Sequence, residues 1–408
     1  MDWNQSATVL ALVLLAYTWI GYPALLLLLQ RLFARPVARL LIHPHVTLIL
    51  AVHNEQQGID EKLRDCLNLK YPPGRIEILV VSDHSIDETE EIVEKFASQY
   101  ANSGGLPFWI QGKQVADAPK PALWRRRAEP SPCIRLIRTG TRAGKSGAQN
   151  LGAEQAKGEI LFFTDANTRM DPAALEQLVE NFGDPRVGLV TATVHFQQPK
   201  GAVPEGQGMY WRYELLIRRA ESDLGILAKA SGQAIAVRRE LFRPLQPCFG
   251  DDCILPLEVR VQGYRVVHEH RAVVTDTMPH TLEGEMKARI RMTARNWTGT
   301  LSQIAILNPW RFPVTSWALI SHKVLRWLSP LFLVLFFAAS TVSAWRHEWI
   351  GLWLLQVVFY ASAFLGWQCV RRGKGAGVFG YAFAFCLANL GFFIGLVKAL
   401  RNQRIVAY

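Results

Sequence analysis

The segment Lys157-Gly-Glu-Ile-Leu-Phe-Phe-Thr-Asp-Ala-Asn167 decides the fold that the rest of the chain must complete. Its centre, Ile160 to Phe163, is apolar at every position, which predicts a strand buried on both faces of a mostly parallel sheet. The strand is followed by Asp165 and Asn167, whose side chains at i and i+2 point the same way in an extended turn. Ligands gather at the carboxyl ends of such strands. We therefore expect a ligand site here, although helix capping would explain the same two residues.

Polar residues also follow two apolar strands predicted upstream. His45–Val52 leads into His53-Asn54-Glu55, and Ile76–Val81 leads into Ser82-Asp83-His84-Ser85-Ile86-Asp87. Strands that alternate with amphipathic helices predict a parallel, nucleotide-binding α/β sheet. The oxygen atoms of Asp165 and Asn167, placed beside a phosphate, are ligands of the kind that Mg²⁺ or Mn²⁺ favours.

The segment Thr139–Ser146 carries a glycine-lysine turn that differs from a P-loop. Its spacing, Gly140-x3-Gly144-Lys145-Ser146, is one residue short of the P-loop pattern. Lys145 nevertheless opens a predicted helix, where a basic side chain beside free backbone N–H groups can meet a diphosphate. A surface lysine in a helix cap is the alternative.

Four charge-free stretches are long enough to cross a hydrocarbon core of about 30 Å, which takes about 20 helical residues. They are Trp3–Gln30, Trp327–Trp345, Trp349–Val370 and Gly375–Val397. The net charge of +11 is concentrated beside them. The flanking basic residues are Arg31, Arg35, Arg39, Lys323, Arg326, Arg371, Arg372 and Lys374.

This distribution of charge indicates positive-inside topology and attraction to membrane lipids, and it argues against a nucleic-acid partner. It places residues 31–326 in the cytoplasm. Lys398, Arg401 and Arg404 follow the fourth stretch and break the charge rule, so that stretch either crosses or re-enters the membrane.

The predicted domains follow from these segments. Residues 1–41 form a transmembrane helix and a basic linker, and 42–280 form the α/β domain, with an inserted loop at about 101–132. Residues 281–326 form amphipathic helices in the membrane interface, and 327–408 form the C-terminal transmembrane helices.

The order of the motifs over roughly residues 42–330 resembles the membrane-integrated glycosyltransferases of family 2. These enzymes have the GT-A fold, a Rossmann-like α/β domain, and include hyaluronan, chitin and poly-N-acetylglucosamine synthases and ceramide glucosyltransferases. The matching motifs are Ala51-Val-His-Asn-Glu55, Ser82–Asp87, Arg142-Ala-Gly-Lys145, Asp165-Ala-Asn167, Ser231-Gly-Gln233 and Gly250-Asp-Asp252.

The resemblance implies a role for each matching residue. The donor-binding residues would be Ala51, Asn54, Glu55, Asp83, Lys145 and Asp165. The metal ligands for Mg²⁺ or Mn²⁺ would be Asp165 and Asn167. The acceptor-binding residues would be Gly232, Gln233, Asp251, Arg295 and Trp297. Asp252 would be the general base, with helix capping as the alternative for Asp251 and Asp252 and membrane anchoring for Trp297.

Three positions depart from the family pattern. Ser82 replaces the first Asp of one motif, and Asn167 replaces the second Asp of the metal motif, where a neutral ligand predicts weaker metal binding. The Gln-x-x-Arg-Trp motif of processive synthases is absent, and Thr293-Ala-Arg295-Asn296-Trp297 stands in its place. This last departure weakens the expectation of processive synthesis.

The resemblance implies an inverting transferase in a bacterial inner membrane, with its catalytic domain in the cytoplasm. It would move a hexosyl or N-acetylhexosaminyl group from a nucleotide sugar, most simply a UDP-sugar, to a growing extracellular polysaccharide or a lipid. One alternative is single-sugar transfer to a lipid, as in ceramide glucosyltransferases. Another is a non-enzymatic transporter or structural membrane protein with a nucleotide-binding domain.

Overall fold

The computed structural model describes residues 2–102, 133–197, 205–247, 249–277 and 281–401. The insertion predicted at about 101–132 therefore lies almost entirely outside the described residues. The described residues divide into two compact units. The sheet unit comprises residues 36–197 and 229–277 of the described chain, and the helical unit comprises residues 2–35, 205–228 and 281–401.

The sheet unit is built on eight strands among the described residues, in the order β3-β2-β1-β4-β7-β6-β8-β5. They are β1 Val46–Val52, β2 Ile76–Ser82, β3 Cys133–Arg138, β4 Ile160–Thr164, β5 Arg169–Met170, β6 Val187–Gln197, β7 Ala234–Arg238 and β8 Arg265–Thr277. Every residue of β4 is buried, as its unbroken apolar run predicts. The mixed, mostly parallel sheet confirms the predicted α/β fold class.

The helices are labelled in chain order across both units. They are α1 Trp3–Ala16, α2 Tyr22–Phe33, α3 Ile59–Leu67, α4 Thr89–Asn102, α5 Gly144–Gln155, α6 Ala174–Val179, α7 Glu205–Asp223, α8 Asp251–Val261, α9 Leu282–Ser302, α10 Pro313–Leu319, α11 Leu325–Trp345, α12 Ile350–Arg371 and α13 Gly377–Leu400. Of these, α3 to α6 and α8 belong to the sheet unit.

One edge of the sheet collects several strand ends, and we call it the site edge. Strands β1, β2 and β4 are parallel, and β8 runs parallel to β6. Because β7 is antiparallel to both β4 and β6, its amino end lies at this edge, with Ala234 opposite Thr164. The residues that follow β4 and β8 and those that precede β7 therefore meet here.

Strand β8 is longer than its apolar pattern predicts. The sequence indicates a strand over Gly263–His268, whereas β8 continues to Thr277, paired with β6 to its end. Polar residues interrupt the apolar pattern in the middle, and Glu269 is fully buried because it is paired with Arg271 at 3.0 Å. The extension carries Asp276 to the site edge.

The helical unit contains four stretches that are long and apolar enough to cross a membrane, judged by length and composition over the described residues. They are Trp3–Phe33, Pro313–Trp345, Ile350–Arg371 and Gly377–Leu400. The last is one unbroken helix of 24 residues, about 36 Å at 1.5 Å per residue. That length exceeds the hydrocarbon core of about 30 Å.

Lys323 and Arg326, which the sequence predicts to flank the second apolar stretch, are buried within the helical unit. Helix α10, a π-helical turn and α11 form one stretch from Pro313 to Trp345, and both residues are buried inside it. Helix α7 supplies their partner, Glu214, with carboxylate oxygens 2.5 Å from Lys323 Nζ and 2.7 Å from Arg326 Nη1. Their burial was not predicted, because the neutralising carboxylate lies far away in the chain.

His322 and Glu221 complete this buried ionic cluster. His322 lies 2.7 Å from Glu221 through Nδ1 and 3.1 Å from Glu214 through Nε2. Tyr22 of α2 donates its hydroxyl hydrogen to Glu221 at 2.7 Å. The cluster therefore joins three helical segments of the unit through buried polar and charged side chains.

Replacing Glu214 is expected to destabilise the helical unit. Glu214→Gln removes the carboxylate that Lys323 and Arg326 share, and losing one partner of a buried ion pair costs about 3–5 kcal/mol. We expect a clearly lower Tm in detergent. The matched control is Glu283→Gln, which removes a solvent-exposed pair with Lys287. Equal melting temperatures for the two variants would contradict the role assigned to the cluster.

Helix α8 carries a carboxyl group whose titration lowers stability at high pH. Burial raises the pKa of Glu258 to about 7, and Arg243 opposes that shift only in part. The Oε2 atom of Glu258 is buried and has no hydrogen-bond partner within the described residues. The folded protein therefore favours the protonated side chain.

The pH dependence follows from that shift. Unfolded Glu258 loses its proton near 4.5, whereas the folded form keeps it to about pH 7. The contribution of Glu258 to the stability of the folded state is complete below its unfolded pKa. That contribution is lost as the pH rises through about 7. We expect Glu258→Gln to raise the Tm at pH 8 but not at pH 4. Exposed Glu240→Gln is the control, and the same shift at both pH values would exclude titration as the cause.

Candidate active site

The carboxylate of Asp83, just after β2, organises the loop that carries Lys145. Asp83 is fully buried, and its two oxygens accept the backbone N–H groups of Ala143 at 2.6 Å and of Gly144 at 2.9 Å. Gly144 has a φ of +72°, a left-handed conformation that glycine adopts without strain. The loop therefore turns sharply into α5 and places Lys145 in its first turn.

Lys145 connects two carboxylates that come from distant parts of the chain. Its Nζ lies 2.7 Å from Asp165 Oδ1, beyond the end of β4, and 2.9 Å from Asp251 Oδ2, at the start of α8. Burial alone would lower the pKa of Lys145, but the two carboxylates outweigh it and raise the pKa. Gln149 of α5 also donates to Asp251, at 2.8 Å. The site thus has a fixed cation between two acids.

Asp252 follows Asp251 at the start of α8 and has a separate partner. Its Oδ2 lies 2.9 Å from Nζ of Lys229, and its backbone oxygen accepts the N–H of Ala230. A methyl group placed on Gly232 would lie 3.6 Å from Asp252 Cβ and 3.5 Å from Asp251 Oδ1. The loop before β7 therefore lies directly against both carboxylates, and one oxygen of Asp252 is engaged.

Asp276 is a site residue that the sequence analysis did not find. Its Oδ1 accepts a hydrogen bond from Asn167 Nδ2 at 3.2 Å, and its Oδ2 accepts one from Gln233 Nε2 at 3.0 Å. Burial raises the pKa of Asp276, and nearby Asp165 adds to the shift. The signal was present, because an acid at the carboxyl end of β8 must lie at the site edge once the strand is followed to Thr277.

The residues after β1 lie at the same edge. Asn54 has a φ of +56°, and its Oδ1 accepts the backbone N–H of Ile86 at 2.9 Å, which ties the β1 turn to the β2 turn. Burial raises the pKa of Glu55, and repulsion from Asp87 and Asp165 adds to the shift. Ala51 lies in β1, opposite Val81. The donor-binding roles of these residues remain predictions.

Arg295 and Trp297, predicted to bind the acceptor, lie on α9 in the helical unit. The ring of Trp297 meets that of Trp327 edge to face, with centroids 5.9 Å apart. The buried Nε1 of Trp297 has no hydrogen-bond partner within the described part of the chain. Their contact with an acceptor remains a prediction.

The site edge offers oxygen ligands that fit a divalent cation. Among the described residues, no group of three or more His, Cys, Asp or Glu side chains is placed to hold a metal. Mg²⁺ and similar ions are commonly held by one or two protein oxygens together with substrate phosphates. Asp165 provides a carboxylate, and the amide nitrogen of Asn167 faces Asp276, which leaves the amide oxygen as its ligand atom. This partial set matches that mode of binding.

Comparisons with known proteins show similarity to glycosyltransferases over part of the chain. Residues 47–106 and 121–245 match the model described as glycosyl transferase family 2. The chain is 25% identical over 252 residues to the poly-beta-1,6-N-acetyl-D-glucosamine synthase of Staphylococcus aureus strain COL, and 23% identical to that of Staphylococcus epidermidis. Each match covers 60% of this chain and 53% of the relative, so the chain spans about half the length of these relatives.

A solved structure resembles the fold over nearly the whole chain. A mannosyltransferase from Pyrobaculum calidifontis, determined in complex with GDP-Man and Mn2+, superposes with a TM-score of 0.69 at 21% identity. The match covers 97% of this chain and 99% of that one. It confirms the predicted GT-A fold class.

The position of Lys145 is expected to depend on the charge of Asp83. In Asp83→Asn, the amide N–H₂ group must face one of the two backbone N–H groups, so one hydrogen bond is lost. A hydrogen bond to a charged group contributes about 1.5–3 kcal/mol to stability. We expect a lower Tm and weaker binding of UDP or GDP by isothermal titration. Asp60→Asn, which removes an exposed pair with Arg64, is the control. Unchanged stability and nucleotide affinity in Asp83→Asn would contradict the role of the carboxylate.

Proposed function

We propose, from the premise that this chain carries a glycosyl transferase family 2 domain, that it moves a sugar from a nucleotide sugar to a membrane-associated acceptor, with inversion at the anomeric carbon. The observation that supports the proposal most directly is the meeting of Lys145, Asp165 and Asp251 at the site edge, with Asp252 adjacent. These groups come from three separate parts of the fold: the start of α5, the turn after β4 and the start of α8.

On the donor side, the chemistry requires stabilisation of a diphosphate leaving group. Lys145 is positioned to place its positive charge near the diphosphate as the bond to the sugar breaks. Mg²⁺ or Mn²⁺ held by Asp165 and Asn167 would supply further charge stabilisation when bound. We propose a UDP-sugar as the donor, and an N-acetylhexosamine is favoured by the synthase relatives.

On the acceptor side, a hydroxyl must lose a proton as its oxygen attacks the anomeric carbon. Asp252 is the proposed general base. Lys229 holds its Oδ2, which orients the carboxylate so that Oδ1 can accept the proton. The bond from the anomeric carbon to the diphosphate oxygen breaks as the new glycosidic bond forms on the opposite face. Gly232 and Gln233 would lie beneath the acceptor sugar.

The acceptor is proposed to be a growing polysaccharide, as the names of the relatives suggest. Single-sugar transfer to a lipid is the second candidate, because Arg295 stands one place early in the run that replaces the processive motif. We propose that the catalytic domain lies in the cytoplasm, since Arg31 and Arg371 lie in the last turns of apolar helices and Arg372 follows one of them. A sizing gel of the labelled product separates a polymer from a single addition.

The central experiment is a comparison of transfer by wild-type membranes and by Asp252→Asn. Without the carboxylate base, transfer should fall by about 10²–10⁴-fold. Labelled UDP-sugars and GDP-Man are supplied with Mg²⁺ or Mn²⁺, and incorporation into polymer and lipid is counted. Asp171→Asn, an exposed acid in a turn of the same unit, is the control.

Two outcomes would count against this function. Transfer by Asp252→Asn at the wild-type rate removes Asp252 from the mechanism. Absence of both transfer and hydrolysis with every nucleotide sugar, in wild-type membranes that retain a cooperative thermal transition, supports a non-enzymatic membrane protein instead.

A further inference from the structure

We infer that Lys145 is a built-in counter-cation that occupies the metal side of the donor site until a nucleotide diphosphate arrives. In this arrangement a divalent cation binds weakly to the empty protein, and nucleotide and metal strengthen each other's binding. The inference rests on the proposed function, because it concerns the order in which the donor site fills.

The first support is the position of the ammonium group. Lys145 Nζ lies 2.7 Å from Asp165 Oδ1 and 2.9 Å from Asp251 Oδ2, so it bridges the predicted metal ligand and the start of α8. The side chain is only 22% exposed. Two carboxylates aimed at one point repel each other, and the ammonium removes that repulsion.

The second support is that the turn before α5 and the first part of that helix hold Lys145 in position. Asp83 fixes the turn before α5 through the N–H groups of Ala143 and Gly144. Gln149, one helical turn further on, donates to the same Asp251 oxygen that faces Lys145. The bridge is therefore a product of the fold, not a chance position of a long surface side chain.

A divalent cation and the ammonium compete for the same carboxylate. Mg²⁺ binds oxygen at 2.0–2.1 Å, so an ion on Asp165 Oδ1 would lie very close to a positive charge already 2.7 Å from that atom. Asn167 adds an oxygen but no negative charge. The empty site therefore attracts a metal weakly.

A diphosphate changes this competition. Its oxygens offer the Lys145 ammonium a new partner and also complete the ligand set of the metal. When Lys145 moves to the phosphates, Asp165 is released to the cation. Because coupling between two ligands is reciprocal, the metal must strengthen nucleotide binding by the same factor. The same movement removes the contact of Lys145 with Asp251, while Gln149 still donates to that carboxylate.

The test measures metal binding directly, without turnover. Full-length protein in detergent is titrated with Mn²⁺ alone and then with UDP or GDP present, and free Mn²⁺ is followed by electron paramagnetic resonance. For the wild type we expect weak binding of Mn²⁺ alone and tighter binding with nucleotide. In Lys145→Met, binding of Mn²⁺ alone should tighten by about 5–150-fold, the usual range of such coupling. The increase in Mn²⁺ affinity that UDP or GDP causes should be correspondingly smaller in this variant.

Matched variants separate this role from a structural one. Lys157→Met removes an exposed lysine just before β4, at the opposite end of that strand, and should leave both titrations unchanged. Lys145→Gln repeats the test if Lys145→Met lacks a cooperative thermal transition. Unchanged or weaker binding of Mn²⁺ alone in the folded Lys145 variants would overturn the inference and leave the bridge as a structural contact.

The outcome is independent of the transfer assay. If wild-type membranes transfer sugar and the Lys145 variants bind Mn²⁺ alone no better, the counter-cation role is wrong and the proposed function stands. If no nucleotide sugar is used but Mn²⁺ binding tightens in Lys145→Met, the competition is real and the proposed chemistry is wrong.

Discussion

The carboxylate of Asp83 is the constraint on which the rest of the site depends. It accepts two backbone N–H groups in the turn before α5, and a buried acid is tolerated there because both of its oxygens are used. The turn positions Lys145, which contacts both Asp165, after β4, and Asp251, at the start of α8. The end of β4, the start of α8 and the turn before α5 are therefore close together, and buried Asp83 fixes the conformation of that turn.

Much of this arrangement follows from local pattern. An unbroken apolar run ending in polar residues predicts both the burial of β4 and a site beyond it, and the same argument applies to Asp83 and Glu55. Asp276 was not predicted because four polar residues interrupt the apolar pattern of β8, at positions 268–271. Whether such residues are buried depends on partners contributed by other elements. Lys229 was not predicted as a site residue for a related reason. Nothing in its own segment indicates that a loop lysine will pair with Asp252.

The helical unit shows the limit of hydropathy and charge counting more sharply. Lys323 and Arg326 beside an apolar stretch have the pattern of residues that face lipid headgroups. Their burial depends on Glu214 of α7, a helix whose composition gives no indication that it packs among apolar helices. Tertiary contacts decide whether a charged residue is exposed to solvent or buried beside a side chain of opposite charge.

The charges at the site edge bear on the proposed binding of a metal by a partial set of ligands. The ammonium groups of Lys145 and Lys229 offset part of the negative charge of Asp165, Asp251 and Asp252. A divalent cation alone would have to displace Lys145 from Asp165, and a diphosphate alone would add negative charge beside these acids. Together they nearly cancel, because the positive ion neutralises phosphate oxygens. A neutral Asn167 in place of a second carboxylate fits this scheme, since an added negative charge would favour the metal before the donor. The departure from the family pattern at Asn167 and the bridging lysine are therefore two parts of one electrostatic arrangement.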